Sequence, residues 1–183
     1  MKANLKVERE VKTFWDLFHA SYVMLEITSE ITEGQYYTIM SSILFSAFSF
    51  EAYLNHLGSK RIPFWDEIES IRVLDKYNVL AKQFSINPDY GRKPYQILKE
   101  LFKFRNSLAH GKSKILTYSA VVDATVNVHD YEPHEHWEEF CTLENAKLVR
   151  VEIEKLITEL NIAASEGEFP FQSGMTISHL SLE

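Results

Sequence analysis

Residues Tyr36–Leu57 read YYTIMSSILFSAFSFEAYLNHL. This run carries one charged residue, Glu51, and its apolar residues recur at spacings of three and four. That period is typical of an α-helix with one buried face. Gly58 follows directly and is placed to cap the helix at its carboxyl end. The sequence therefore predicts a long buried helix whose inward stripe consists of Ile39, Ile43, Ala47, Phe50, Leu54 and Leu57.

The same helical period recurs in four other parts of the chain. The first of these has a stripe that begins with Val7 and Val11, and we expect it to pack against the long helix as an antiparallel hairpin. Pro94 suits the first position of the helix that it opens, and Thr142 can cap the start of the last helix. The four predicted helices cover Val7–Ile31, Asp66–Phe84, Pro94 to Gly111, and Leu143–Ala164.

Length and composition favour a single domain. The chain has 183 residues, of which 45% are hydrophobic and 13% aromatic, which excludes a wholly disordered protein. The segment Ile115–Val128 is rich in Thr and Val and predicts a β-hairpin or an irregular insertion. We therefore predict a mainly all-α fold, a bundle of about five helices. It spans residues 1–165, with a small β-hairpin insertion at residues 115–130 and an extended tail at residues 166–183.

The sequence also predicts a cellular location. Cys141 is the only cysteine, so no disulfide can form within the chain, and its expected role is packing. The first residues lack the apolar core of a signal peptide. The uncharged run Gln35–Phe50 falls short of the roughly 20 apolar residues that a membrane span needs. These features predict a soluble cytoplasmic protein that does not bind membranes.

Charge is concentrated in one segment. The chain carries a net charge of −7, yet Arg92–Lys114 contains seven basic residues and one acid, Glu100. That segment is therefore +6, and the rest of the chain is −13. A basic segment on an acidic body suits a local phosphate site better than a general nucleic-acid binder. The alternative is an ordinary solvated helix face.

Within this segment, Arg105–His110 read RNSLAH. Arginine offers a fork of donors to a phosphate, and histidine titrates close enough to neutral pH to move protons. On a helical wheel at about 100° per residue, Asn106 and His110 share a face with Lys99 and Lys103. Arg105 lies about 140° round from His110. The two can meet at one phosphate only if the Arg side chain bends round, the last turn is distorted, or a second copy contributes.

Two segments together resemble a known family. Ala47–Asn55 read AFSFEAYLN within the helical hairpin, and a helix opened by Pro94 ends in FRNSLAHG at Phe104–Gly111. This arrangement resembles the HEPN superfamily (higher eukaryotes and prokaryotes nucleotide-binding) over about residues 7–162. The family signature is Arg, usually followed by a polar residue such as Asn, and then His after four to six positions. Here the residues that fit it are Arg105, Asn106 and His110.

The resemblance implies a helical bundle that forms a homodimer and sets two motifs across a shared cleft. Many members are metal-independent endoribonucleases, often toxins or defence proteins, which cleave RNA by attack of the 2′-hydroxyl and need no cofactor. The implied partners are RNA or a nucleotide and an antitoxin or another regulatory protein. In toxin pairs regulated by adenylylation, a Tyr stands where this chain has Lys112. Other members only bind, so a non-catalytic nucleotide- or protein-binding module is the alternative.

The resemblance also implies roles for individual residues. His110 would be the base or the acid that acts on the ribose oxygens, and Arg105 would stabilise charge on the phosphorane. Asn106 would orient His110 or a phosphate oxygen. The plainer alternative is that Arg105 binds a carboxylate and His110 caps the helix end, where a cation is favoured by roughly 0.3–1 kcal/mol. The predicted phosphate- and RNA-binding residues are Lys99, Lys103 and Lys112.

Two further sets of polar residues lie outside the motif. Glu51 and Asn55 are four apart on an otherwise apolar helix, so they need buried partners, which Arg105 or a backbone group can supply. We expect them to support the cleft rather than to act in catalysis. His129–His136 are rich in metal-ligand types but lack a known zinc spacing. We therefore predict a solvated loop there and no metal site.

Overall fold

The computed structural model describes residues 3–182. Within them the chain forms seven α-helices, a short 3-10 helix at Val128–Tyr131 and a two-stranded antiparallel sheet, so the expected mainly helical fold is confirmed. None of the helices in this range combines the length and the apolarity that a membrane span requires. The elements are β1 (Ala3–Arg9), α1 (Thr13–Glu30), α2 (Gln35–Arg61), α3 (Trp65–Ile68), α4 (Val73–Gln83), α5 (Gln96–Ala109), α6 (His136–Phe140), α7 (Leu143–Ala163) and β2 (Thr176–Leu182).

Helix α2 is the centre of the fold, and α1 packs antiparallel along it as expected. Serines at the α1–α2 contact allow close approach, and their hydroxyls are satisfied: Ser21 Oγ lies 2.8 Å from Ser46 Oγ, and Ser49 Oγ donates to the Phe14 carbonyl at 2.7 Å. Helix α7 is joined to α2 where Tyr53 OH donates to Asn161 Oδ1 at 2.9 Å. Helices α4 and α5 pack on the remaining side of α2.

The predicted start of the first helix is wrong. Residues 3–9 form β1, which pairs with β2, and α1 begins only at Thr13. Val7 and Val11, predicted to be inward, are 53% and 62% exposed. The residues around Val7 also alternate between apolar and polar types, which is the period of a strand. The partner strand is more than 160 residues away along the chain, so the local period alone did not decide between helix and strand.

The predicted cap at Gly58 is also wrong, because α2 continues for almost one more turn, to Arg61. Gly58 is buried inside the helix, and a Cβ built on it would fall within the indole ring of Trp65. The glycine therefore provides space for a buried aromatic ring and does not end the helix.

We expect Gly58→Ala to destabilise the protein by about 2 kcal/mol. Overpacking a core costs about 1–3 kcal/mol, and the cost here should reach the upper end of that range because the added Cβ meets the rigid, buried ring of Trp65. Alanine gains about 1 kcal/mol over glycine in a helix interior, which leaves a net loss of about 2 kcal/mol. Chemical denaturation followed by circular dichroism measures the difference. Ser59→Ala, at an exposed neighbouring position, is the control and should be neutral or slightly stabilising. A Gly58→Ala variant as stable as wild type would contradict this packing.

Two other predicted elements need correction. The single helix predicted over Asp66–Phe84 is broken into α3 and α4, which brings the total to seven helices together with the short α6. The break lets Trp65 pack on Gly58 while Tyr77, on α4, is fully buried in the core. Helix α5 begins at Gln96, two residues beyond the predicted start at Pro94.

The predicted β-hairpin at residues 115–130 is absent. That segment has no strand, and it ends in the 3-10 helix. Several of its β-branched residues have no surface to pack on: Ile115 is 93% exposed, and Val121 is fully exposed. The β-structure of the described chain is formed instead by β1 and β2. Between α7 and β2, Phe171 stacks on Phe18 with ring centroids 4.0 Å apart.

Candidate functional site

A cleft of about 600 Å³ opens beside α5, between this helix and the residues that lead into α4. It brings together most of the side chains that the sequence singled out. Asn55 is close to the cleft but does not line it, and Lys112 lines a separate groove. The predicted residues that line the cleft are Glu51, Lys99, Lys103, Arg105, Asn106 and His110.

Arg105 projects from α5 towards α2, and its guanidinium is held on two sides. Nη2 donates to Glu51 Oε2 at 2.6 Å, and Nη1 donates to Asn106 Oδ1 at 3.0 Å. The guanidinium carbon also lies 5.7 Å from the centroid of the Phe48 ring. The side chain is 23% exposed, and its buried Nε has no hydrogen-bond partner within the described residues. Arg105 is therefore held in one orientation, and Nη1 and Nη2 each keep one N–H that no described residue accepts.

The carboxylate that holds Arg105 is itself held by a residue that the sequence analysis missed. Lys76, on α4, places its Nζ 3.2 Å from Glu51 Oε1 and 3.0 Å from Asn55 Oδ1. The side chain of Lys76 is only 3% exposed. Glu51 therefore bridges a buried ammonium and the guanidinium of Arg105. Partners for Glu51 and Asn55 were expected, and Arg105 was one of the candidates for that role.

A signal for Lys76 was present in the sequence. Lys76 lies three residues after Val73 and four before Leu80, and both of these are buried. It therefore occupies an inward position on α4, where a lysine is unusual unless it is paired. A helical wheel of α4 by itself would have placed this ammonium in the core, although not opposite Glu51.

His110 stands at the end of α5, where the helix stops. Its backbone N–H donates to the Asn106 carbonyl at 2.9 Å, while its imidazole is exposed and makes no hydrogen bond to another residue in the range 3–182. The side chain lines both the cleft and the groove on its other side, which contains Lys112, Lys114 and Trp137. An imidazole that is free on the protein side can bind a substrate group. The alternative role, as a cap of the helix end, also fits this position, because the carboxyl end of a helix favours a cation.

The cleft has an excess of positive charge. Both of its acids are paired with arginines: Glu51 with Arg105, and Asp75 with Arg72 at 2.7 Å. Lys99 and Lys103 are exposed, and neither has a carboxylate within ion-pair distance in the described part of the chain. These two lysines are therefore the groups that remain available to attract an anion.

Other reactive groups lie outside the cleft. In residues 3–182 no cluster of three or more His, Cys, Asp or Glu side chains has the arrangement of a metal site. Within the predicted loop, His136 begins α6, and its Nε2 lies 2.9 Å from Glu100 Oε2. Cys141 is buried, and burial raises the pKa of its thiol to about 11, so it is a poor nucleophile at neutral pH.

Comparison of the chain with protein-family models, curated proteins and solved structures found no match. The motif and the geometry of the cleft are therefore the observations on which a function can be argued.

Proposed function

We propose that this protein is a metal-independent endoribonuclease of the HEPN type. The observation that carries the proposal is that Arg105 and His110, which a helical wheel separates by about 140°, both line one cleft with Lys99 and Lys103. The Arg105 side chain points from α5 towards Glu51, and in our proposal its guanidinium and the His110 imidazole act on one phosphate in this cleft. A single cleft then offers a phosphate-binding fork, a proton-transfer group and additional positive charge.

In the proposed reaction the ribose 2′-oxygen attacks the adjacent phosphorus, and the bond from phosphorus to the 5′-oxygen breaks. The products are a 2′,3′-cyclic phosphate and a 5′-hydroxyl. His110 either takes the proton of the 2′-hydroxyl or gives a proton to the leaving oxygen. Arg105 stabilises the charge that develops on the phosphorane, and its fixed orientation means that little reorganisation is needed.

The experiment that tests the function is incubation of the purified protein with single-stranded RNA in EDTA. Cleavage that leaves 2′,3′-cyclic phosphate ends supports the proposal. RNA that is bound but stays intact supports the alternative, a non-catalytic nucleotide- or protein-binding module. One observation favours that alternative: the Arg105 guanidinium already pairs with Glu51 at 2.6 Å, which neutralises part of its charge.

We further propose that the protein acts as a homodimer in the cytoplasm. A second His110 in the same cleft would let one imidazole act as base while the other acts as acid. Exposed apolar residues are available for contact on the outer face of α7, where Val151 is 48% and Ile162 is 52% exposed. An antitoxin or another regulatory protein is a further partner that this function would involve.

Light scattering should therefore give about twice the 21.3 kDa mass of one chain at micromolar concentration. Replacement of Val151 and Ile162 by Asp should shift the protein towards the monomer, because charges at an apolar contact are not compensated. Val23→Asp, at an exposed position on α1, is the control. A wild-type protein that remains monomeric would contradict the dimer.

Lys99 and Lys103 should affect RNA binding rather than the chemical step. Each lysine that contacts a phosphate contributes to the salt dependence of binding, so the double Ala variant should bind more weakly and show a salt slope reduced by up to about 1.4 for single-stranded RNA. The cleavage rate at saturating RNA should be nearly unchanged. Lys147→Ala, on the exposed surface of α7, provides the control. A salt slope equal to that of wild type would exclude both lysines from RNA contact.

A further inference from the structure

The two walls of the cleft differ in chemistry. The α5 wall carries Lys99, Lys103 and the reactive residues near its end. The opposite wall is formed by residues 70–75, Asn78 and Tyr90. Its only cation, Arg72, is paired with Asp75, and its surface includes the half-buried apolar side chains of Ile71 and Leu74. One wall of the cleft is therefore basic, and the other has no net charge and carries an aromatic ring. Such a cleft matches a nucleotide, which has phosphate on one side and a flat base on the other.

Tyr90 is the aromatic residue on this second wall, and its ring is fixed. Its hydroxyl donates to Asn78 Oδ1 at 2.6 Å, and the ring is half-buried against the core. Lys99 Nζ lies 5.3 Å from the ring centroid, over its face. Because Lys99 is exposed and its stem is flexible, the ammonium can move from the ring to a phosphate when a ligand enters. The ring would then offer its face to a base.

We propose that Tyr90, with Asn78 and Lys99, forms a subsite that stacks one nucleobase of single-stranded RNA. The proposal rests on the proposed function for the identity of the ligand. His110, directly after the end of α5, is eleven positions from Lys99, which at 1.5 Å per residue is about 16.5 Å along the helix axis. The base bound at Tyr90 therefore belongs to a neighbouring nucleotide and not to the one that is cleaved. Such a subsite fixes the register of the strand relative to His110.

The test uses a fluorescein-labelled RNA oligomer and the His110→Ala protein, here called the parent, which should bind RNA without cleaving it. Stacking of a base on an aromatic side chain is worth about 1–3 kcal/mol, so Tyr90→Leu should weaken binding about 5- to 150-fold. Leucine preserves the apolar packing of Tyr90 but has no aromatic face. Tyr90→Phe preserves the face and should bind nearly as well as the parent. Tyr37→Leu, at a 65% exposed tyrosine outside the cleft, is the matched control.

A series of oligomers with a single abasic site moved along the strand identifies the stacked base. At one position, the abasic RNA should bind the parent protein more weakly than intact RNA does. The Tyr90→Leu protein should bind that abasic RNA and intact RNA equally well. Equal RNA affinity of the parent and Tyr90→Leu, or a loss that is the same at every abasic position, would overturn the subsite. If one abasic position behaves in this way but the wild type does not cleave RNA, the subsite is supported and the proposed catalysis is overturned. If the wild type cleaves RNA but no abasic position behaves in this way, only the subsite is overturned. If the protein does not bind RNA, both the subsite and the proposed function are overturned.

Discussion

Replacement of His110 by alanine is expected to lower the rate of RNA cleavage by about 10²–10⁴-fold, the usual contribution of a general acid–base group. The fold should be unaffected, because the imidazole is exposed and makes no hydrogen bond to another described residue. The rate of cleavage of a labelled RNA in EDTA measures the loss, and circular dichroism checks the helices. RNA binding should be largely retained, since Lys99 and Lys103 supply the excess positive charge.

His129→Ala is the matched control for this experiment. His129 is exposed and lies in the 3-10 helix, and its side chain does not line the cleft. Its removal should leave the cleavage rate unchanged. If the His110→Ala protein cleaves RNA as fast as the wild type, the activity belongs to a contaminant. The non-catalytic binding module then replaces the proposed endoribonuclease.

Arg105 variants separate charge from geometry at the same site. Arg105→Ala should also remove cleavage. Arg105→Lys should restore little activity, because one ammonium cannot replace a planar fork that contacts Glu51, Asn106 and a phosphate together. The Arg105→Lys variant retains a positive charge beside Glu51. Its thermal stability should therefore be closer to that of the wild type than the thermal stability of Arg105→Ala is.

The sequence was sufficient to predict the parts of the fold that depend on long regular periods. Helix α7 begins at Leu143 as predicted, and Thr142 Oγ1 accepts a hydrogen bond from the Asn145 backbone N–H at 3.1 Å. The prediction failed where a distant contact decides the local structure. A strand partner at residues 176–182 turns the residues around Val7 into β1, and the Trp65 ring explains why Gly58, which was predicted to be a cap, lies inside a helix.

The same distinction applies to the candidate site. Arg105, Asn106 and His110 could be chosen from their chemistry and spacing, and Glu51 from its need for a partner. Lys76 and Tyr90 come from other segments, and their relation to the motif depends on how α4 packs beside α2 and α5. No local period contains that information. The chemistry of a site is therefore more readily predicted from a sequence than the residues that position it.

Lys76→Met is expected to lower the free energy of unfolding by about 3–5 kcal/mol. Methionine retains most of the volume of the lysine stem but removes the ammonium, so Asn55 Oδ1 loses its donor and Glu51 keeps only Arg105. The loss should be near the lower end of the range, because the Glu51 carboxylate is 23% exposed and remains paired with a guanidinium. Chemical denaturation followed by circular dichroism measures it.

Lys82→Met is the control on the same helix, and at that exposed position the change should be within about 0.5 kcal/mol. Adding Glu51→Gln to Lys76→Met should destabilise by less than the sum of the two single changes, because the ammonium and the carboxylate interact directly. A Lys76→Met protein as stable as the wild type would mean that the ammonium contributes nothing in the core. The position of Glu51, and through it the orientation of Arg105, would then need another cause.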